Sequence, residues 1–264
     1  MFSKNRACQL DLFIRSMCAF MSIDDLYVLY KYSDDFHKRG YDKLINKKYR
    51  RINWISESNL KEDFLDIVNA FSGDFYLSFA DDDCLVKPTN LDLLLPFLDN
   101  DKIQSASIKF SDQIRYNSVD QKPMSRPDFI QKDSFLLWNW SEQDSDQDWG
   151  YPMALTGTVF RMRDVEKHFV NLQYINLTRL EGEMNHHRDA NKPLMVSFNE
   201  TKLATLPLNS VSNVTRVNPH GDVSIEMLND KYLAGYGIDL NKIVLLQPKL
   251  SFFLYNINLE FILI

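Results

Sequence analysis

The chain has 264 residues, of which 45% are hydrophobic and 13% aromatic, enough apolar material for one large α/β domain or two small ones and a composition that predicts a folded globular protein. Thirty basic residues against 36 acidic ones give a net charge of −6 with no extended block of one sign, which argues against a non-specific nucleic-acid binder. Cys8, Cys18 and Cys84 have neither CxxC nor metal-finger spacing, so no disulfide framework is expected and a reducing compartment is.

The opening MFSKNRACQL interrupts any apolar run with polar and charged residues, unlike a signal peptide, and no later window approaches the ~18 apolar residues of a membrane span. The expectation is a cytoplasmic chain, with peripheral membrane association left open. The sequons at Asn139, Asn176, Asn199 and Asn213 carry no meaning in that setting.

Leu10, Phe13, Ile14, Met17 and Phe20 recur at helical spacing, and the run LYVLYKY after Asp24-Asp25 predicts a strand. Residues 34–46 read as a helix, and the cluster Lys47-Lys48-Tyr49-Arg50-Arg51 as its solvated end. A short strand over 52–55 precedes an amphipathic helix over 60–71 that a Ser-rich segment can cap. Ser72-Gly73-Asp74 stops that helix, 75–79 is a buried strand, and 91–98 is another helix. Such alternation predicts an α/β fold with a mostly parallel central sheet flanked by helices.

Between 112 and 150, Pro123, Pro127 and the cluster FLLWNW predict irregular structure with some exposed rings over a site. Residues 153–161 return to strand character and 177–187 to helix. PLMVSF and KLATLP around Asn199-Glu200 predict a hairpin over 193–207. The tail YNINLEFILI alternates on Ile257, Leu259, Phe261 and Leu263 as a half-buried strand does. No internal repeat is present, and one domain over 1–264 is expected.

The stretch FYLSFADDDCLVKP places Asp81, Asp82 and Asp83 directly after an apolar strand, where ligands of parallel sheets bind. Adjacent carboxylates repel unless they are solvated or share a cation. Hard divalent ions such as Mg²⁺ and Mn²⁺ take oxygen ligands and keep places for substrate phosphates, so Asp81 with Asp83, or Asp82 with Asp83, can bridge a metal to a diphosphate. A solvated turn capping the next helix is the plain alternative. Asp81-Asp82-Asp83 also loosely fits the nucleophile motif of haloacid-dehalogenase phosphatases, although that motif belongs on a first strand with an acidic pair far downstream.

With these residues placed, the chain resembles nucleotide-sugar glycosyltransferases of the GT-A (Rossmann-like) fold, close to family 2. FSKNRACQLDLFIRSM is similar to the opening strand, polar loop and helix of that family, and SGDFYLSFADDDCLVKP to its metal-binding DxD segment. The likeness covers roughly residues 1–100 and returns around YPMALTGTVFR and LTRLEGEMN. Only Met1 and Phe2 precede Ser3, so most of the family's first strand is not expected.

The resemblance implies a donor half over 1–110 and a smaller acceptor-side β/α half over 111–264. It implies a nucleoside-diphosphate sugar as donor, a glycan or lipid-linked glycan as acceptor, and Mn²⁺ or Mg²⁺ as cofactor. Ser3, Lys4 and Arg6 fall in the loop that approaches the nucleotide, Asp34 where the base or ribose is held, and Asp81 and Asp82 beside the donor. Asp81 and Asp83 take the metal positions, with His220 in NPHGD as a third ligand, whereas His186-His187 read as solvated. An inverting transfer needs a base for the acceptor hydroxyl: Glu181 is the first candidate, followed by Glu183 and Asp148. Trp138 and Trp140 offer rings for sugar stacking. A catalytically inactive glycan- or partner-binding domain remains the rival from another class. A nucleotidyltransferase is disfavoured because SKNRACQ lacks a Gly-rich loop.

Overall fold

Strand pairing begins at the second residue of the chain. In the computed structural model, which describes residues 1–132, 134–211, 220–246, 248, 250–254 and 257–264, β1 (Phe2–Lys4) leads into α1 (Ala7–Phe20), β2 (Leu26–Lys31), α2 (Asp35–Asn46), β3 (Ile52–Ser56), α3 (Leu60–Ala70) and β4 (Phe75–Leu77). The middle of the chain forms β5 (Asp83–Leu85), β6 (Ile103–Ser107), β7 (Ile130–Lys132), β8 (Phe135–Asn139) and β9 (Thr158–Arg161). Next come α4 (Met162–Asn171), α5 (Leu177–His186), β10 (Leu194–Phe198) and β11 (Leu203–Thr205). The chain closes with α6 (Ile225–Leu233), β12 (Tyr236–Ile238), α7 (Leu240–Leu246) and β13 (Phe261–Leu263). Asn213 and its sequon lie outside the described residues.

β1, β2 and β3 form a parallel sheet, and a second, mixed sheet has the order β4-β9-β6-β10-β8-β7. The Phe2 N–H donates to the Phe79 carbonyl at 3.2 Å, and Phe2 bridges Ala80 in the parallel sense, so β1 lies beside the chain leaving β4. β9 is antiparallel to both β4 and β6, so those two point the same way, and β10 runs parallel to β6. The carboxyl ends of β1, β4 and β6 therefore share one edge, as expected of a parallel-rich α/β fold.

Local chemistry accounts for most of the elements. Asp34 caps α2 by accepting from the His37 N–H at 2.9 Å, and Asn176 caps α5 by accepting from the Arg179 N–H at 2.8 Å, each satisfying an orphan donor of the first turn. α1 buries Leu10, Phe13, Ile14 and Met17 in the main core, at the predicted spacing. A second cluster gathers Phe64, Phe160, Phe169 and Met184, and a third Phe110, Trp138, Trp149 and Phe252.

Several expectations are corrected. The segment 91–98 forms two short 3₁₀ turns (Leu91–Leu93 and Leu95–Asp99) and no α-helix, with Pro96 inside the second, where a missing N–H and the ring clash oppose α-helical continuation. Residues 112–150 contain β7 and β8, and the rings of FLLWNW are not exposed. Trp138 and Trp140 are buried, with indole N–H groups donating to the carbonyls of Trp149 at 3.0 Å and Lys192 at 2.7 Å, so neither offers a face to a sugar.

The expected hairpin over 193–207 is absent because its two strands find other partners: β10 sits between β6 and β8, and β11 pairs with β5. Strand structure over 153–161 is confined to β9, after Gly157 turns at φ +67°. β13 pairs antiparallel with β12; the tail's alternation holds at Ile257, Leu259 and Phe261, half-buried against the main core with exposed residues between them, and fails at Leu263, which is exposed. β1 is a true if short strand. The three thiols are free, Cys8 and Cys84 buried and Cys18 exposed. Among the described residues no helix is long and apolar enough to cross a membrane.

The basic cluster after α2 does more than solvate a helix end. Asp11 on α1 is fully buried and accepts from Arg15 Nε at 2.8 Å, Lys47 Nζ at 2.7 Å, and the hydroxyls of Tyr49 and Tyr232, each at 3.3 Å. One carboxylate thus ties α1 to the end of α2 and to α6. Removing one partner of a buried charge network strands the others. Asp11→Ala should lower unfolding free energy by about 3–5 kcal/mol in chemical denaturation, and Lys47→Met by clearly less, because Arg15 still neutralises Asp11.

Candidate active site

The shared carboxyl edge of β1, β4 and β6 opens into a cavity of about 490 Å³, bordered by Arg6, Asp82, Lys109, Asp148, Glu181 and His220. Each strand delivers its residue directly: Arg6 follows β1, Asp82 follows β4 and Lys109 follows β6. A second depression of about 420 Å³ lies at Asp101, Arg163 and Lys192. Arg163 pairs there with Asp101 at 3.0 Å and Lys192 with Asp164 at 2.6 Å, and no residue of the acidic triplet borders it.

The triplet occupies a tight turn whose hydrogen bonds separate the three carboxylates. The Asp83 N–H donates to the Ala80 carbonyl at 3.1 Å, and the Ala80 N–H donates to Asp83 Oδ2 at 2.9 Å. Asp83 is thereby turned inward, where Oδ1 accepts from Thr205 Oγ1 at 2.7 Å and lies 3.4 Å from Lys109 Nζ. Asp81 is buried too, accepting from the Lys4 N–H at 3.1 Å and from Arg6 Nη1 at 2.9 Å. It does not border the cavity, as the nucleophile of a haloacid-dehalogenase phosphatase has to. Asp82 does, with Oδ2 at 3.3 Å from the same Arg6 nitrogen. Burial raises its carboxyl to about 6, with Arg6 opposing the rise and Asp81 and Asp83 adding to it.

Arg6 is held on its other side by Asn209. Nε donates to Asn209 Oδ1 at 2.8 Å and Nη2 donates to the Asn209 carbonyl, while Asn209 Nδ2 donates to the Val223 carbonyl at 3.1 Å. The guanidinium is a clamp between the triplet and the segment before α6, and it reaches the cavity as a fixed charge.

Glu181 sits in the second turn of α5. Its Oε2 accepts from the Leu155 N–H at 2.7 Å; burial raises its carboxyl, and that N–H, Lys109 and a hydrogen bond from Tyr151 offset part of the rise. Asp148 accepts from the Ser118 N–H at 2.6 Å and from Ser118 Oγ at 2.7 Å, and burial raises it to about 6.

Of the residues singled out from sequence, Arg6, Asp82, Asp148, Glu181 and His220 therefore border one cavity. The others stand apart. Ser3 is buried with Oγ 2.7 Å from the Tyr41 hydroxyl, and Lys4 contributes its backbone N–H to Asp81. Asp34 caps α2, and Glu183 pairs with Arg179 at 3.1 Å; neither borders the cavity. His220 is exposed, with Nδ1 2.8 Å from the Gly221 carbonyl oxygen.

Among the described residues no group of three His, Cys, Asp or Glu is arranged to hold a metal. The expected set of Asp81, Asp83 and His220 is not assembled. What fits a Mg²⁺ or Mn²⁺ ion here is the Asp82 carboxylate, because such ions are commonly bound by one or two carboxylates with the remaining places left to water and substrate phosphates.

Lys109, Asn209 and Thr205 are the residues that sequence reasoning missed. Lys109 carried a signal of its own, the one charge inside the buried run IQSASIKF. Asn209 and Thr205 carried none, since both act through contacts with residues more than a hundred positions away.

No family model matches the chain. Among curated proteins, the bifunctional glycosyltransferase pgtA of Dictyostelium discoideum is 26% identical over 183 residues, which cover 62% of this chain and 24% of that relative. The chain thus spans about a quarter of that relative's length. Among solved structures, S. aureus TarS 1-349 in complex with UDP aligns with a TM-score of 0.47 at 11% identity, over 75% of this chain and 57% of that one. A nucleotidyl transferase from Methanothermobacter thermautotroptrophicus aligns with a TM-score of 0.40 at 11% identity, over 86% and 81%. The chain is thus similar in sequence to a glycosyltransferase, the class that the resemblance read from its residues had implied.

Proposed function

We propose that the chain transfers a sugar from a nucleoside diphosphate to a hydroxyl of a glycan or lipid-linked glycan, with inversion and with Mg²⁺ or Mn²⁺ bound. The observation that carries this reading is one cavity at the carboxyl edge of the sheet in which Arg6 and Asp82 meet the buried carboxylate of Glu181. The similarity to pgtA supports the class of reaction. Arg6 and Asp82 come from the part of the chain before residue 110, and Asp148 and Glu181 from the part after it, which suits a donor half and an acceptor half.

In this reading Asp82 would hold the divalent ion, and when bound the ion would supply positive charge against the departing diphosphate. Arg6, locked by Asp81 and Asn209, adds a positive field that need not reorganise. The bond from the anomeric carbon to the diphosphate oxygen breaks, and its electron pair leaves with the diphosphate. The acceptor oxygen bonds to the anomeric carbon from the opposite face, and its proton passes to Glu181. Burial makes Glu181 a stronger base than a solvated carboxylate, and its Leu155 hydrogen bond holds its orientation. Asp148 has both oxygens engaged by Ser118 and positions that loop at the cavity wall.

Thermal stabilisation by UDP, GDP, dTDP and CDP, with and without Mn²⁺, tests the donor site. One nucleotide at ~100-fold over its Kd should add about 2.7 kcal/mol with the metal present, and Asp82→Asn should abolish the metal-dependent part. The absence of a shift with every nucleotide sinks the reading and favours the inactive binding domain. Glu181→Gln should keep nucleotide binding and lose about 10²- to 10⁴-fold in kcat; unchanged turnover would remove Glu181 from the role of base.

Asp148 has a pH signature of its own. Its folded-state pKa is raised from 3.8 to about 6, so the folded chain binds that proton more tightly than the unfolded chain does. The associated stability is complete below pH ~3.8 and lost as pH rises through ~6. The Tm advantage of Asp148→Asn over wild type should therefore grow between pH ~4 and ~6 and stay flat above ~7; a pH-independent difference contradicts the assignment.

A further inference from the structure

Lys109 is a buried cation that the transfer chemistry above does not use. It follows β6, its side chain is 9% exposed, and it borders the cavity. An ammonium out of water is expensive unless its charge and its three donors are met. Here Nζ donates to Thr156 Oγ1 at 2.6 Å and lies 3.4 Å from Asp83 Oδ1. The Phe252 ring centroid is 5.6 Å away. Asp83 is already shared with Thr205 and the Ala80 N–H, so the ammonium is not saturated by a dedicated partner.

The backbone makes room for this side chain. Gly157 adopts φ +67°, and a Cβ at that position would fall 2.8 Å from Lys109 Cε and 2.6 Å from Leu203 Cδ2. The lysine stem thus runs through space that only a glycine leaves open, and Thr156, the next residue back, aims its tip. Lys109 shares the cavity with Asp82, Asp148 and Glu181, and its positive charge opposes the rise that burial imposes on each of these carboxyls.

We propose that Lys109 Nζ binds the terminal phosphate of the donor's nucleoside diphosphate and takes up part of the negative charge on that group as it leaves. The assignment rests on the transferase reading and adds a second, protein-supplied cation to Arg6. A point charge with rotatable donors suits a phosphate whose oxygens change charge during the reaction.

The test uses inorganic pyrophosphate, UMP and UDP, or the matching pair for whichever base stabilises the chain, in calorimetric titrations with Mn²⁺. Lys109→Met should weaken pyrophosphate and nucleoside diphosphate about 10- to 100-fold and leave the monophosphate within about twofold. Lys109→Arg should retain most of the affinity, and Thr156→Val, which frees the ammonium from its aim, should fall between. Circular dichroism and Tm establish folding; should Lys109→Met not fold, Thr156→Val and Lys109→Arg carry the comparison. Equal loss for mono- and diphosphate, or no loss in any variant that folds, overturns the role of Lys109 while wild-type binding keeps the donor site standing. Wild type that binds neither pyrophosphate nor any nucleotide overturns the donor site itself, and the role of Lys109 with it.

Discussion

Three consecutive carboxylates at one turn are tolerated because two protein cations reach them from distant parts of the chain. Arg6 spans Asp81 and Asp82 with one nitrogen, at 2.9 and 3.3 Å, and Lys109 stands 3.4 Å from Asp83. At an effective dielectric near 20, unit charges at ~4 Å interact by about 4 kcal/mol, so the uncompensated triplet would strain the turn and the start of β5. The compensation is uneven. Asp81 and Asp83 are enclosed by donors, whereas Asp82 keeps one side towards the cavity and a raised carboxyl pKa. That asymmetry separates the carboxylates that hold the turn from the one that can meet a ligand.

Sheet topology brings the cations there. β1 and the chain leaving β4 are neighbours through the Phe2–Ala80 bridge, and the antiparallel β9 lets β4 and β6 point the same way. Residues just past the ends of β1, β4 and β6 then converge although more than seventy positions separate Arg6 from Asp81. Arg6 is also the first residue before α1 and carries no capping hydrogen bond of its own. Its side chain serves the triplet instead. The helix that follows is anchored at Asp11, where the carboxylate meets Arg15, Lys47, Tyr49 and Tyr232.

Local periodicity made the α/β order of the first eighty residues legible, including α1, β2, α2, β3 and α3, because each buries its own stripe and carries its own stop signal. Of the cavity residues, Asp82 could be read from a carboxylate cluster at a strand end, and Arg6, Asp148, Glu181 and His220 through the resemblance to a family whose site is built from those places. Inference failed where pairing is long-range. PLMVSF and KLATLP look like two arms of a hairpin, yet the pairings of β10 with β6 and β8 and of β11 with β5 displace the local one. The rings of FLLWNW looked exposed beside so many polar residues, but the β8–β10 register sends Trp138 into the core. Asp81 and Asp83 looked like the natural ligand pair at i and i+2, and only the Thr205 hydroxyl and the Arg6 guanidinium, both remote in sequence, decide that neither borders the cavity.

Fold and site share their hydrogen bonds at this turn, and that sharing limits what can change. Asp83 is at once the first residue of β5, the partner of Thr205 across the β5–β11 ladder, and the counter-charge of Lys109. Swinging its carboxylate towards a ligand would leave Thr205 Oγ1 and the Ala80 N–H without their acceptor and a buried ammonium without its nearest anion, each a desolvation penalty of roughly 1–3 kcal/mol. Turning Asp82 breaks only one long contact to Arg6, which keeps Asp81 and Asn209. A ligand arriving in the cavity therefore meets Asp82 as the adjustable carboxylate of the three, on a turn whose other two members are held by the core.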